Sequence, residues 1–374
     1  MTQTVAMVGA GQLARMTQQA AIALGVTLVV LADGEEEPAV LAGARPHLGT
    51  AAALEDLRAI ARTVPVLTFD HEQVDPERLA ALEAEGVTLA PSAAAHLFAQ
   101  DKLHQRRELA ALGFPIPPFR HATTPAEVQA FGGEHGWPVV GKPPRGGYDG
   151  KGVFLLESVE EAAALLRAHP DGLVLEPLLD LEGELAVLVA RSRSGEIRPY
   201  PLVQTVQVDG MLRELIVPAP VDAATAERAI ALAHDIAERI EATGIMALEL
   251  FLTPGGLFVN ELALRPHNSG HWTIEGAVTS QFENHLRAVL GWPLGDTALT
   301  APAVATVNVV GPADGTDPRS RLADALAVPE AKIHLYGKTA RPGRKLGHVT
   351  VRADDAGRAL ASAREAARIL EGAL

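Results

Sequence analysis

The residues with the richest potential chemistry lie in one stretch, Trp137-Pro-Val-Val-Gly-Lys142-Pro-Pro-Arg145-Gly-Gly-Tyr148-Asp149-Gly-Lys151-Gly152. Glycines let successive backbone N–H groups turn toward an anion, and Lys142 and Lys151 bring positive charge, so the loop suits phosphates. The Walker spacing G-x-x-x-x-G-K-[S/T] is absent, and Val153 to Leu156 reads as a strand where a P-loop needs a helix. A glycine-rich hairpin turn gives the same local pattern. Tyr148-Asp149 between two glycine groups is unusual for a turn alone.

A second constellation follows from Ile245 to Ala263. If Pro254-Gly255-Gly256 is a three-residue hairpin loop, Glu249 and Glu261 stand opposite each other on one face; a two-residue loop would split them. Opposed carboxylates repel, and the arrangement makes sense around a divalent cation. Hard oxygen ligands select Mg²⁺ or Mn²⁺ bridged to nucleotide phosphates. Next comes Arg265-Pro-His267-Asn268-Ser269-Gly-His271-Trp272. It has too much Gly, Asn and Ser for a helix and lacks H-E-x-x-H, so a substrate-lining loop fits better than zinc. Glu176-Pro177 ends an apolar run and could offer backbone groups to an adenine edge, with Glu184 accepting from ribose hydroxyls. A surface turn with solvated glutamates fits those residues equally. Tyr336-Gly-Lys338-Thr-Ala-Arg341-Pro-Gly-Arg344-Lys345 gathers four basic side chains that could grip a phosphate or simply be solvated.

These residues need elements to hold them. Val5 to Val8, Gly9-Ala-Gly11-Gln12-Leu13-Ala14, a helical pattern to Gly25, and Val26 to Leu31 before Asp33 predict a βαβ opening. The opening matches the G-x-G-x-x-A dinucleotide fingerprint, although a helix N-terminus takes any phosphate or carboxylate. Strands at Val64 to Phe69 and Val87 to Leu89 continue a parallel α/β domain, with Asp70-His71-Glu72 just past a strand end. Ala94 to Leu112 reads as one helix carrying Lys102, Arg106 and Arg107. A helix over 158–168 follows the glycine loop. Strands at Leu173 to Leu179 and Gly183 to Ala190, then a helix from Gln281 to Leu290, lead to short C-terminal strands and a helix from Ala356.

Composition narrows the function class. The chain has 374 residues, a formal charge of −14, scattered basic residues and no cysteine. That length implies more than one domain. The charge gives no footprint for nucleic acid or an anionic membrane, and the missing cysteines exclude thiolate chemistry, disulfides and iron–sulfur clusters. With no apolar run of membrane-spanning length and no signal-peptide pattern, a cytoplasmic protein acting on small molecules is expected.

Taken together, the pieces occur in the order found in the ATP-grasp superfamily, and over the whole chain the sequence resembles the N5-carboxyaminoimidazole ribonucleotide synthetase family within it. The motifs that carry the likeness are Gly11-Gln12-Leu13, Gly146-Gly-Tyr-Asp-Gly-Lys-Gly152, Asn260-Glu-Leu-Ala263, His267-Asn-Ser-Gly-His-Trp272 and Arg341-Pro-Gly-Arg-Lys345. The resemblance implies an α/β ATP-grasp fold: a Rossmann-like pre-ATP-grasp domain over 1–93, an ATP-grasp domain over 94–296 with a flexible glycine-rich loop at 143–152, and a small, mainly β domain over 297–374. It implies a homodimer.

Residue by residue, the resemblance puts Lys102, Lys142, Gly146, Gly147, Tyr148, Asp149, Gly150, Lys151 and Gly152 on ATP. Glu176, Pro177, Leu178, Leu179, Glu184, Gln207, Asn260 and Glu261 join them, with Glu249 and Glu261 on Mg²⁺. Tyr148, Asp149, Arg265 and His267 would face the carboxylation centre. Gln12, Leu13, Glu72, Lys338, Arg344 and Lys345 would complete the site for the aminoimidazole ribonucleotide. The implied reaction is ATP-dependent carboxylation of that ribonucleotide by bicarbonate through carboxyphosphate, giving ADP and phosphate, in purine biosynthesis. Three positions depart from the family pattern. Thr205 and Gln207 stand where Asn and His are common, Leu264 replaces a proline and is expected to loosen the turn before Arg265, and Glu72 is the better matched acid of Phe69-Asp-His-Glu72. A formate-dependent ribonucleotide transformylase, a non-catalytic nucleotide binder and an NAD-dependent dehydrogenase are the competing readings. Nicotinamide chemistry needs neither paired glutamates nor a glycine–lysine loop.

Overall fold

The computed structural model describes residues 3–147 and 152–372. Its first unit is a parallel sheet ordered Arg45–Leu48, Thr27–Ala32, Thr4–Val8, Leu67–Phe69. Val5 to Val8 are fully buried, as a parallel strand covered on both faces requires. The helix Gln12–Leu24 crosses between the first two strands and stops at Gly25, whose φ of 65° is the left-handed conformation that glycine tolerates best. Val87 to Leu89, expected as a strand, contributes only a single parallel bridge between Leu67 and Leu89.

The single helix expected from Ala94 to Leu112 is two helices, Ala93–Gln100 and Lys102–Ala111. Asp101 between them is extended (φ −122°, ψ 107°), and its carboxylate accepts from the His104 N–H. An Asp cap competes well with helix continuation because it satisfies a backbone donor that the new helix would leave bare. The break puts Lys102 in the first turn of the second helix, one turn before Arg106.

A small antiparallel sheet, ordered Arg120–Ala122, Leu173–Pro177, Val139–Lys142, Phe154–Leu156, carries Lys142 and Glu176. The glycine-rich loop connects its last two strands. Opposite lies a nine-stranded sheet running Gly256–Ala263, Gly244–Thr253, Gly183–Arg191, Val203–Val208, Met211–Val217, Ala303–Val310, Lys345–Ala353, Lys332–Leu335, with Ile197–Pro199 also paired to Gly183–Arg191. Pairing of Val217 with Val304 makes this sheet continuous from the middle of the chain into residues 303–353. The helices Ala223–Arg239 and Ala356–Glu371 supply Ala229, Ala233, Ile236 and Ala359, Ala363, Ala366 to the two cores along it.

The hairpin holding the two glutamates reaches the expected pairing by another route. Thr253 pairs with Gly256, so the loop is the two-residue Pro254-Gly255. Unbroken, that register would put Glu249 opposite Asn260. A one-residue bulge leaves Asn260 unpaired and brings Glu249 opposite Glu261.

His285 ties the N-terminal sheet to this hairpin. Its Nδ1 accepts from the Ile245 N–H at 3.2 Å, so Nε2 carries the proton donated to the Thr68 hydroxyl at 2.9 Å. Burial pulls its pKa from 6.5 down to about 3. The unfolded chain therefore takes up a proton below pH 6.5 that the fold rejects. This stability is intact above pH 6.5 and erodes as pH falls toward 3, by about 1.4 kcal/mol per pH unit. Between pH 7 and 5 the wild-type urea midpoint should fall relative to that of His285→Gln; parallel pH dependences in the two proteins would refute the assignment.

Candidate active site

A cavity of about 1030 Å³ separates the small sheet from the large one. At one end Lys142, Glu176 and Arg106 form a buried cluster. The Lys142 Nζ lies 2.7 Å from Glu176 Oε2, and Arg106 Nε lies 2.6 Å from Glu176 Oε1. Burial alone would raise the Glu176 pKa, but the two cations hold it down at about 2. Both carboxylate oxygens are engaged, so the side chain of Glu176 holds the two cations in place. Arg106 also donates to the Asn260 carbonyl at 2.7 Å, which the hairpin bulge leaves unpaired in the ladder. Sequence reading gave Arg106 no role. The available signal was its four-residue spacing from Lys102, which puts both on one helix face.

Glu249, Glu261 and Glu184 line the middle of the cavity. Glu249 is pushed up to about 8 by burial first, then by the charges of Glu261 and Glu184. Burial also raises Glu184. Lys102 Nζ stands 3.5 Å from Glu261 Oε1 and offsets part of this charge. Three carboxylates that cannot all ionise comfortably in one enclosed space suit a hard divalent cation, with Glu249 and Glu261 as its oxygen donors.

At the far end Arg265 pairs with Glu72, Nε to Oε1 at 2.8 Å. His267 Nε2 faces Glu249 Oε1 at 3.6 Å, and burial, then Arg265 and Lys345, keep this imidazole neutral, well below its usual pKa. Gln12, Leu13, Tyr336 and Lys345 close this end. Here the glycine fingerprint acquires a different meaning. Asp70 Oδ2 accepts from the Gly11 N–H at 2.8 Å, and a Cβ on Gly9 would sit 1.9 Å from Asp70 Oδ1. The anion seat at the helix N-terminus is filled by the protein's own carboxylate, so a dinucleotide pyrophosphate has no place there.

The other expected positions divide. Gly146, Gly147, Pro177, Leu178, Leu179 and Gln207 line the cavity, and so does Asn260. A Cβ on Gly152 would meet the Gly147 Cα at 3.2 Å, so the two ends of the glycine loop lie against each other. Tyr148, Asp149, Gly150 and Lys151, expected on ATP, lie outside the described residues. Lys338 lines an adjoining cavity of about 640 Å³ that shares Gln12, Leu13, Asp70, His71 and Gln73 with the first. Arg344, expected on the substrate phosphate, instead donates to the Thr339 carbonyl at 3.1 Å within its own turn. The short Pro342-Gly343 turn folds it back on that backbone. Leu264, expected to loosen its turn, is buried in the main core beside Leu248 and Leu262, where an aliphatic side chain anchors the turn by packing.

Comparison with known proteins agrees with this fold. Residues 1–100 match the ribonucleotide synthetase preATP-grasp domain, residues 107–282 the ATP-grasp domain, and residues 305–362 the phosphoribosylaminoimidazole carboxylase C-terminal domain. The chain is 47% identical over 362 residues to an N5-carboxyaminoimidazole ribonucleotide synthase of Mycobacterium tuberculosis, covering 94% of this chain and 84% of the relative. Among solved structures, an ADP complex of an N5-carboxyaminoimidazole ribonucleotide synthetase superimposes with a TM-score of 0.91 at 32% identity, over 99% of this chain and 97% of the other. An Aspergillus clavatus N5-carboxyaminoimidazole synthase, solved with ADP and 5-aminoimidazole ribonucleotide, gives 0.89 at 32% identity over 99% of each chain. Among the described residues, no helix is long and apolar enough to cross a membrane.

Proposed function

The chain belongs to the N5-carboxyaminoimidazole ribonucleotide synthase family, and we propose that its cavity runs that family's reaction with the residues placed above. ATP phosphorylates bicarbonate, giving ADP and carboxyphosphate. Carboxyphosphate breaks into CO₂ and phosphate, and the exocyclic amine of 5-aminoimidazole ribonucleotide attacks the CO₂ carbon, forming the carboxyamino product as the amine loses a proton. The observation that carries this reading is the meeting, in one cavity, of buried Lys142 and Arg106, the opposed Glu249 and Glu261, and the Arg265 and His267 pair.

Each group has a part to play. Lys102, Lys142 and Arg106 draw the nucleotide phosphates to one end, while Pro177 to Leu179 and Gln207 border the base and ribose. A divalent cation on Glu249 and Glu261, Mg²⁺ or Mn²⁺, would neutralise charge on the transferring phosphoryl group. Arg265 and His267 offer N–H donors to the anionic oxygens at the carboxylation centre. Glu72 orients Arg265 and borders the ribonucleotide with Gln12, Leu13 and Lys345. Tyr148 and Asp149 remain the candidates for orienting or deprotonating the amine. Because carboxyphosphate hydrolyses readily, the glycine loop is assigned the task of excluding water.

The test is ADP release with Mg²⁺ and bicarbonate, with and without 5-aminoimidazole ribonucleotide, and with formate replacing bicarbonate in parallel. Stimulation by the ribonucleotide with bicarbonate alone is expected. Stimulation with formate instead would move the chain to the transformylases, and tight ATP binding without turnover would make it a nucleotide binder.

A further inference from the structure

The imidazole at the reacting end is held by groups that the proposed reaction does not itself use. His267 Nδ1 accepts from the Ser269 backbone N–H at 3.3 Å and lies 2.9 Å from the Ser269 hydroxyl. A backbone N–H can only donate, so Nδ1 carries the lone pair and Nε2 carries the proton. That proton points toward Glu249 and the cavity.

The backbone of His267 is fixed independently. Gln281, fully buried at the start of the helix Gln281–Leu290, accepts from the His267 N–H at 2.8 Å and donates to the His267 carbonyl at 2.7 Å. These two partners settle which amide atom is oxygen and which is nitrogen. Gln281 Nε2 also stands 3.3 Å from His271 Nδ1. Thr273 completes the frame by donating to the Gly270 carbonyl and accepting from the Gln281 N–H. The loop presses on the amide closely enough that a Cβ on Gly270 would lie 2.6 Å from Gln281 Cδ.

We propose that Ser269 and Gln281 are positioning residues: Ser269 selects the His267 tautomer, Gln281 clamps its backbone, and together they make His267 a fixed N–H donor to anionic oxygen. Two consequences follow. With its proton on Nε2, His267 cannot act there as a general base, and it cannot offer that nitrogen's lone pair to a cation on Glu249. The proposal rests on the functional reading above for the identity of the anion, bicarbonate or carboxyphosphate, but not for the tautomer.

Nitrogen-15 NMR of histidine-labelled protein, with the His267 signals identified by their loss in His267→Asn, reads the tautomer directly. A protonated Nε2 and a lone pair on Nδ1 are expected; the reverse assignment would overturn the proposal. For Gln281, the variant Gln281→Met has nearly the same length and removes both the acceptor and the donor that hold the His267 backbone. Ribonucleotide-stimulated kcat should fall about 10- to 100-fold, while the KM for ATP stays within twofold. Wild-type kcat, or an ATP KM that rises as kcat falls, would overturn the positioning role. A wild-type enzyme with no ribonucleotide-stimulated turnover would refute the functional reading, and the NMR result would still decide the tautomer.

Discussion

Glu249→Gln is expected to stabilise the metal-free protein while nearly abolishing ADP release. In the unliganded cavity Glu249 is pushed up to about 8 by burial and by Glu261 and Glu184, so near neutral pH the fold holds it protonated while the unfolded chain gains by ionising it. A neutral amide does not titrate and so removes that cost, which grows by about 1.4 kcal/mol per pH unit above the unfolded pKa until the folded one is reached. The sign can be isolated by pH. A carboxylate whose folded pKa exceeds its unfolded value of 4.5 binds more protons in the fold between 4.5 and 8. Stability from this group therefore falls as pH rises through that window. His285 acts in the opposite direction but is finished by pH 6.5. Between pH 6.5 and 8, wild-type thermal midpoints should fall, and Glu249→Gln should remove that fall.

Turnover should respond in the other direction. Losing one anionic ligand to the cation costs several kcal/mol of charge stabilisation at the phosphoryl group, about 10²-fold or more in kcat. Mg²⁺ should raise the wild-type midpoint by mass action and leave the variant's nearly unchanged. A variant that loses midpoint yet keeps turnover would remove Glu249 from the cation site. Lys102, 3.5 Å from Glu261, gives an internal comparison. It offsets charge on Glu261 without ligating a cation, so Lys102→Met should lower metal-free stability where Glu249→Gln raises it.

The elements of the fold were legible in the sequence where local rules decide them. Gly25 ends the first helix because glycine alone enters the left-handed region without strain, and Gln281–Leu290 forms where it was expected. Reading failed where a distant partner decides. The Asn260 bulge leaves no local periodicity signal, although its freed carbonyl is taken by Arg106, 154 residues away in sequence. The glutamate pair was therefore anticipated correctly from a loop length that was not. Likewise Gly9-Ala-Gly11 looks like a phosphate turn until Asp70, 59 residues from Gly11, is seen to fill it. Arg106 resembled any helix arginine because its burial depends on Glu176, which lies 70 residues on in a strand of the small sheet. A spacing rule can bring two residues to one face. Only tertiary packing decides whether that face meets water or a buried carboxylate.

Glu176 is where that packing should show the largest effect on stability. Its carboxylate is almost fully buried, with one oxygen on Arg106 and the other on Lys142. Glu176→Gln leaves two cations in a desolvated pocket with no compensating charge, and breaking a buried pair in this way costs about 3–5 kcal/mol. Lys142→Met is gentler, because Arg106 still neutralises Glu176. Urea unfolding should therefore rank Glu176→Gln well below Lys142→Met, although only the lysine change removes a cation assigned to the nucleotide phosphates. The pH dependence has the opposite sign to that of Glu249. Glu176 is held at about 2 in the fold, below its unfolded value of 4.5, so its contribution is complete above pH 4.5 and is lost as pH falls toward 2. ATP binding supplies the second measurement. In Glu176→Gln the lysine and arginine are freed to meet phosphate directly, so the variant should gain more thermal midpoint from saturating ATP than wild type does. A loss below about 1 kcal/mol on unfolding, or no added gain with ATP, would mean the two cations are solvated rather than held by Glu176.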